Sequence, residues 1–337
     1  MRLLEDRAQE LRDRHAIAFR ITGIASRRIG WLADANGFDA ANILAPKSER
    51  EGHDFSRAGN ADIRSWLAAA RADVLFEATS LNVENGQPAV DHIRAALDHG
   101  AHAVTANKGP IVHAYSELRD LAAARGKRFL FESTVMDGVP IFSLFDQLPA
   151  IHLQGFHGIL NSTTNVILSE MENGLAFDAA LKKAQDLGVA ETDATHDIDG
   201  WDAAVKTAAL ITVLMDLPVR LDEIAREGIR NLSGEAVRAA KKAGRPYKLV
   251  CRARRASSSG EPGSGKTGSG KPGFTASIRP EQVPLTDPMA HVAGTSSIVS
   301  FDTDIFPGLV ITEENPGLYA TAYGMLADFI RASTVAS

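Results

Sequence analysis

Apolar and polar positions follow two periodic patterns in the first 140 residues of the chain, one typical of strands and one of helices. Four short, mostly apolar runs are typical of strands: residues 17–26, 73–80, 101–107 and 127–134. The segments before and between them predict amphipathic helices, at residues 3–14, 64–72, 89–100 and 114–126. Strands that alternate with helices of this length indicate a doubly wound (Rossmann-like), parallel α/β sheet, which binds nucleotides at the C-terminal ends of its strands.

The alternation of short strands and helices ends near Ile141. Residues 151–160, 245–255 and 273–283 read as longer strands separated by helices, which predicts a second, α+β domain. Residues 255–273 are rich in glycine and serine, so we expect them to form a flexible, extended turn between two of these strands.

These patterns divide the chain into two predicted domains. Residues 1–140 form a dinucleotide-binding domain, completed by a C-terminal helix within 311–337, and residues 141–310 form the catalytic domain. A dinucleotide-binding domain usually opens with a strand and a G-x-G-x-x-G loop. Here the first helix follows Met1 at once, so the predicted sheet lacks its first strand, and we expect the true start of the protein to lie upstream.

Composition limits the class of protein. The chain has 337 residues, of which 45% are apolar and 23% charged, as in ordinary globular proteins. A net charge of -6 without a long basic run argues against nucleic-acid binding. No apolar stretch approaches the ~20 residues that span a bilayer, and the charged N-terminus does not resemble a signal peptide. The single cysteine, Cys251, suits a reducing compartment, so we expect a cytoplasmic enzyme without a membrane partner.

One sequence motif is misleading. Residues 260–267, GEPGSGKT, fit the P-loop pattern of nucleotide triphosphatases. A P-loop must follow a buried strand and open a helix, whereas charges and serines precede this segment and GSGKPGF follows it. The match therefore reflects composition, and the chemistry must lie elsewhere.

The densest polar cluster spans residues 188–206, GVAETDATHDIDGWDAAVK. Asp202 and Lys206 lie four positions apart on an otherwise apolar helix, where a lysine beside a carboxylate can exchange a proton with a substrate hydroxyl. Glu191 and Asp197 precede them on an acidic loop that could hold an ammonium group. An ordinary salt bridge after an acidic loop is the alternative that these residues leave open.

Two further segments carry candidate chemistry. TANKGP places Lys108 at the C-terminal end of a predicted strand, where cofactor and substrate would meet; a surface lysine in a turn is the alternative. ESTVMDGVP, residues 132–140, reads as a strand that runs into a turn. Its backbone carbonyls could bind a monovalent cation, or the segment could be a plain crossover between domains.

Four segments together resemble homoserine dehydrogenase: TANKGP, ESTVMDGVP, GILNSTTNVIL (158–168) and residues 188–206. The resemblance implies NAD(P)-dependent interconversion of homoserine and aspartate 4-semialdehyde, in the biosynthesis of threonine, methionine and isoleucine. It also implies a homodimer formed through the second domain. Two positions depart from the family's pattern, because Ser162 and Asp137 replace glycines.

The resemblance also implies a role for each matching residue. Lys206 would be the acid/base, Asp202 would orient it, and Lys108 would be a second active-site lysine near the nicotinamide. The remaining matches are substrate residues (Glu191, Asp197, Asn161, Thr163), cofactor residues (Thr79, Ser80, Lys108, Gly317) and carbonyls for Na⁺ or K⁺ (Glu132, Val135, Asp137, Val139). Arg27 and Arg28 follow a predicted strand where an arginine would bind a 2′-phosphate, which favours NADP over NAD.

Two other interpretations compete with this one. A truncated homologue that binds cofactor poorly and pairs with a partner subunit would explain the missing first strand. An aspartate-semialdehyde dehydrogenase would need a thiolate nucleophile, but Cys251 lies in the middle of a predicted strand, so we reject this interpretation.

Overall fold

The computed structural model describes residues 1–27, 29–44, 62–256 and 273–334. The chain divides into two compact units. Unit 1 comprises Met1–Pro140 and Leu318–Ser337, and unit 2 comprises Ile141–Gly317. No helix in the described ranges is both long and apolar enough to cross a bilayer.

Unit 1 contains a parallel sheet with helices around it. Its helices are α1 Arg2–Asp6, α2 Ala8–His15, α3 Ala40–Leu44, α4 Ile63–Ala70, α5 Ala89–His99, α6 Gly109–Ala124 and α13 Leu318–Ser333. Its strands are β1 Gly23–Ser26, β2 Gly30–Ala33, β3 Val74–Glu77, β4 His102–Thr105 and β5 Phe129–Leu130. Strands β3, β4 and β5 pair in parallel in that order, as the alternation of strands and helices predicts.

The core of unit 1 forms where helices cover this sheet. Trp66 and Leu67 of α4 pack with Leu75 of β3, and Leu11 of α2 packs with Phe329 of α13. Removing a large apolar side chain of this kind from water contributes about 1.5–3 kcal/mol, so these contacts hold the helices on the sheet.

Three sequence predictions for unit 1 were wrong in detail. Of the predicted strand 17–26 only β1 forms, and it pairs antiparallel with β2 in a separate hairpin rather than in the parallel sheet. The predicted strand 127–134 shortens to β5, because residues 132–134 form a 3₁₀ turn in which the Thr134 hydroxyl donates to the Phe131 carbonyl. The first predicted helix breaks at Arg7 into α1 and α2.

Unit 2 contains a six-stranded sheet in the order β11-β10-β6-β8-β9-β7. Its strands are β6 Leu153–Ile159, β7 Ala225–Arg226, β8 Tyr247–Arg255, β9 Phe274–Gln282, β10 Ser297–Thr303 and β11 Leu309–Glu313. Its helices are α7 Phe142–Asp146, α8 Ser162–Glu172, α9 Phe177–Asp186, α10 Thr195–Ile198, α11 Trp201–Leu214 and α12 Gly234–Lys242. The three longer strands predicted for this region correspond to β6, β8 and β9.

Strands β8 and β9 are antiparallel neighbours, with Arg255 opposite Phe274. The glycine- and serine-rich segment therefore joins two paired strands, as expected, although residues 257–272 and the misleading motif within them lie outside the described residues. Strand β8 turns Cys251 toward Thr207 of α11, so Arg252 and Arg254 point to the other face of the sheet.

Candidate active site

The turn from β6 into α8 organises the polar cluster of unit 2. The Asn161 side chain caps α8 by accepting a hydrogen bond from the Thr164 amide at 2.8 Å. With its amide nitrogen Asn161 donates to Asp197 Oδ1 at 2.7 Å and to Asp202 Oδ2 at 3.0 Å. Asn161 is buried, so this arrangement fixes the two carboxylates relative to each other.

Lys206 lies on α11, one turn after Asp202. Its ammonium donates to Asp202 Oδ2 at 2.9 Å and to the Leu160 carbonyl at 2.7 Å. The side chains of Lys206 and Asp202 are each only 18% exposed, because buried alanines and valine surround them on the helix. The Leu160 carbonyl belongs to another element of the fold, so the ammonium is oriented more strictly than in an exposed helical salt bridge.

The cluster is more acidic than basic. Burial raises the pKa of Asp197, and the charge of Asp202 raises it further, against the hydrogen bond from Asn161 and the charge of Lys206. Two carboxylates beside one ammonium favour an additional cation. This arrangement can hold a substrate ammonium group and place a proton donor next to it.

Two other predicted substrate residues have different surroundings. Thr163 is buried, and its hydroxyl donates to the Val189 carbonyl at 3.1 Å and interacts with Asp197. Glu191 is exposed, and its carbonyl accepts a hydrogen bond from Gln185.

Sequence reasoning missed two contributors to this cluster. The first is the Leu160 carbonyl, which no side-chain pattern can reveal. The second is Arg226, whose guanidinium lies 3.7 Å from the centre of the Trp201 ring and donates to the Asp199 carbonyl, so it holds the start of α11 in place. Cys251 is buried, and burial raises the pKa of its thiol to about 11, so the thiol stays protonated near neutral pH.

In unit 1 the predicted cofactor residues lie at the C-terminal ends of β3 and β4. Thr79 and Ser80 are exposed just after β3, and Lys108 is partly buried at the start of α6. The Asn107 side chain donates to the Thr79 carbonyl at 3.0 Å, which ties the two strand ends together. Arg27 reaches the Ser80 hydroxyl at 3.4 Å. Arg28 lies outside the described residues.

Residues 132–139 form a tight turn in unit 1 that packs on α13. Asp137 has a left-handed backbone, with φ +54°, at the position where the family's pattern has glycine. Its carboxylate accepts a hydrogen bond from Thr321 of α13 at 2.6 Å, which offsets the cost of this conformation. Gly138 approaches α13 so closely that a Cβ atom there would lie 2.1 Å from the Ala320 carbonyl oxygen.

Excess negative charge lies beside this turn. Glu132 and Asp328 are buried, and both contact Arg331, with Asp328 also accepting the Glu132 amide at 2.7 Å. Burial raises the pKa of Asp328 to about 7, and the Glu132 charge adds to the shift. The other two predicted carbonyl ligands, Val135 and Val139, follow in the same turn.

Gly317, the last residue before α13, is exposed, and no atom lies within 4 Å of the position that a Cβ atom would occupy there.

Comparisons with known proteins identify both parts of the chain. The family model described as homoserine dehydrogenase matches residues 140–330, more than half of the chain. A second model, described as the NAD binding domain of homoserine dehydrogenase, matches residues 1–132.

Individual relatives agree with these matches. The NAD(+)-dependent homoserine dehydrogenase of Pseudomonas canavaninivorans is 30% identical over 97% of this chain and 90% of its own. The homoserine dehydrogenase of Methanocaldococcus jannaschii is 36% identical over 77% of this chain and 72% of its own. A hyperthermophilic archaeal homoserine dehydrogenase, solved in complex with NADPH, superimposes with a TM-score of 0.74 at 25% identity, over 97% of this chain and 92% of that one.

Proposed function

Since the chain belongs to the homoserine dehydrogenase family, we propose that it catalyses the NAD(P)-dependent interconversion of L-homoserine and L-aspartate 4-semialdehyde. The Asn161–Lys206 cluster is the observation that carries this proposal for the chain itself, because it joins an acidic site for an ammonium group to an oriented lysine. In this proposal unit 1, residues 1–140 with α13, binds the dinucleotide, and unit 2 binds the substrate. The predicted boundary at residue 310 was too early, because β11 belongs to the sheet of unit 2, which extends to Gly317.

Lys206 is the acid/base in this proposal. When the semialdehyde is reduced, the Lys206 ammonium donates a proton to the oxygen that becomes the hydroxyl of homoserine. In the reverse direction the neutral Lys206 amine accepts that proton. Asp202 and the Leu160 carbonyl keep Lys206 Nζ in the same orientation during both proton transfers. The nicotinamide cofactor supplies or accepts the hydride at C4 of the substrate.

The acidic residues bind the substrate's ammonium group. Asp197 and Asp202 supply the carboxylates, and Asn161 and Thr163 keep Asp197 in position. Glu191 lies on the exposed loop before this cluster and contributes to the same site when substrate is bound. The raised pKa of Asp197 fits such a role, because a bound cation would favour its ionised form.

Thr79, Ser80, Lys108 and Gly317 contact the cofactor in this proposal, with Lys108 near the nicotinamide. We propose NADP as the preferred cofactor, because the Arg27 guanidinium lies at Ser80, where it could pair with a 2′-phosphate. An Arg27→Gln variant should raise KM for NADP⁺ at least tenfold and change KM for NAD⁺ by less than about twofold. Equal effects on both cofactors would contradict this preference.

We propose a monovalent-cation site at the turn 132–139. Carbonyl oxygens are hard ligands, and a bound cation beside the buried Asp328 would favour the ionised form of that carboxyl, whose pKa is raised to about 7. The carbonyls of Glu132, Val135, Asp137 and Val139 would hold Na⁺ or K⁺ and so stabilise the turn. Turnover should then be higher in NaCl or KCl than in choline chloride at the same ionic strength; equal rates in all three salts would contradict the site.

We also propose a cytoplasmic homodimer. The sheet face of unit 2 that carries His157, Arg252, Ser277 and Ser300 surrounds a concavity of about 540 Å³. This polar, partly exposed face would pair with the same face of a second copy. Light scattering should give the mass of a dimer, and Ser277→Arg should give a monomer; a monomeric wild-type protein would refute the assembly.

The test of the activity is direct. The purified protein is mixed with L-homoserine and NADP⁺ or NAD⁺, and the absorbance of the reduced cofactor is followed. We expect turnover with homoserine and none with L-serine, which lacks the C4 hydroxymethyl group. A folded protein that binds the cofactor poorly and does not oxidise homoserine would instead support the alternative of a truncated partner subunit.

A further inference from the structure

Glu77, the last residue of β3, is a buried carboxylate that the proposed mechanism does not use. Its side chain is almost fully buried, with 2% of the residue exposed. One carboxylate oxygen, Oε1, accepts the Thr79 amide at 2.9 Å and also the Thr79 hydroxyl. The other, Oε2, accepts the Thr105 hydroxyl at 3.0 Å. Donors from two strand ends therefore converge on one acid.

The surroundings keep this carboxylate ionised. Burial by itself would raise the pKa of Glu77, but the interactions with His92, Thr79 and Thr105 outweigh it, so the pKa lies below its ordinary value. His92 Nδ1 is 3.9 Å from Oε1, and its ring meets Trp31 edge to face. Replacing this buried carboxylate by a neutral side chain should cost free energy, because each hydrogen-bond donor around it loses a charged acceptor.

The hydrogen bonds continue from Glu77 into both turns. Glu77 and Thr105 are aligned partners in the parallel β3–β4 ladder. The Thr105 hydroxyl, fixed by Glu77, accepts the Asn107 amide at 2.9 Å, and the Asn107 side chain returns to the Thr79 carbonyl at 3.0 Å. The Asn107 side-chain oxygen also accepts the Gly109 amide at 2.9 Å, which sets the first turn of α6 directly after Lys108.

We infer that Glu77 is a positioning residue that holds Thr79–Ser80 and Lys108 in the geometry that binds the nicotinamide cofactor. The inference rests on the proposed function, since it concerns the cofactor residues of that same site. Glu77 acts through Thr79, Thr105 and Asn107, without touching the cofactor. A neutral residue of the same shape cannot replace it, because a glutamine amide group would turn a donor toward Thr79 or Thr105.

The test separates cofactor binding from folding. In Glu77→Gln, the Kd of NADPH or NADH, measured by cofactor fluorescence without substrate, should rise roughly tenfold. KM for the cofactor should rise in parallel, whereas KM for homoserine should change by less than about twofold, because the substrate residues belong to unit 2. A purely structural role would lower the active fraction and leave both KM values unchanged.

Thr105 provides an independent pair of variants. Thr105→Val removes the hydroxyl and should raise the cofactor Kd like Glu77→Gln, whereas Thr105→Ser keeps it and should bind almost like wild type. Glu117→Gln, an exposed carboxylate on α6, is the control without an expected effect. If Glu77→Gln fails to fold, the two Thr105 variants decide the question.

Three results would overturn the inference: an unchanged cofactor Kd in folded Glu77→Gln, equal binding by Thr105→Val and Thr105→Ser, or a parallel rise of the cofactor and homoserine KM values. In each case a wild-type protein that oxidises homoserine would leave the proposed function intact. A wild-type protein that binds neither cofactor would overturn both.

Discussion

Replacing Lys206 by methionine tests the centre of the mechanism. Methionine keeps the length and the apolar contacts of the side chain but removes the proton donor. General acid/base groups contribute on the order of 10²–10⁴ to turnover, so kcat of Lys206→Met should fall at least 100-fold.

The structure also predicts the direction of the substrate effect. Asp202 keeps its hydrogen bond from Asn161 in Lys206→Met, at 3.0 Å in the wild-type structure. The cluster loses its positive charge but keeps both carboxylates, so the substrate's ammonium should bind as well as before or more tightly. KM for homoserine should therefore stay the same or fall while kcat collapses, a combination that a misfolded site would not give.

Two further variants make this prediction specific. Lys206→Arg keeps the charge but cannot exchange a proton near neutral pH, so its kcat should also fall at least tenfold. Lys182 also forms an i,i+4 pair, with Asp186, but on an exposed helix surface and in the reverse order. Lys182→Met should therefore leave kcat within about twofold of wild type.

The assay is steady-state kinetics in both directions, with reduced cofactor followed by absorbance and folding checked by circular dichroism. A loss of less than about threefold in kcat of Lys206→Met would refute the acid/base role and favour an ordinary salt bridge.

Three other perturbations have defined outcomes. In steady-state kinetics, Asp197→Asn should raise KM for homoserine about tenfold, because it removes a carboxylate from the ammonium site. The wild-type KM for homoserine should rise as pH falls toward the raised pKa of Asp197. Burial and then nearby positive charges lower the pKa of His102, whose Nδ1 accepts the Arg128 amide at 3.0 Å. Below pH 6.5 the unfolded chain therefore binds a proton at His102 more readily than the folded chain does, so Tm should fall as pH falls. In His102→Asn, which lacks the titrating group, Tm should fall less. Gly138→Ala should lower Tm by several degrees, because its Cβ would collide with a carbonyl of α13, whereas Gly308→Ala, where a Cβ meets no atom within 4 Å, should not.

Much of the fold could be predicted because it is local. The apolar period of residues 89–100 predicts α5, and the helix ends at Gly100 with φ +90°, as a glycine after a helix should. The pairing of Asp202 with Lys206 likewise follows from spacing alone, since positions four apart share a helix face.

The pairing of β1 with β2 could not be predicted from local sequence. Residues 17–26 have the composition of a sheet strand, yet only four of them form one, opposite Gly30–Ala33. Which partner a strand finds depends on the competing partners elsewhere in the chain, and the composition of the strand does not contain that information.

By itself, the sequence determined α4, α5, α6, α11 and α13, most of the strands, the presence of a dinucleotide-binding part before a second domain, and the apolar helix that carries Asp202 and Lys206. Only the tertiary structure decided that the Leu160 carbonyl orients Lys206, that Asn161 joins two carboxylates, and that Glu77 binds donors from two strand ends. The physical reason is range. Helical periodicity and capping act over about four residues, whereas these contacts join residues 28 to 46 positions apart, and they form only when packing of the whole unit brings the elements together.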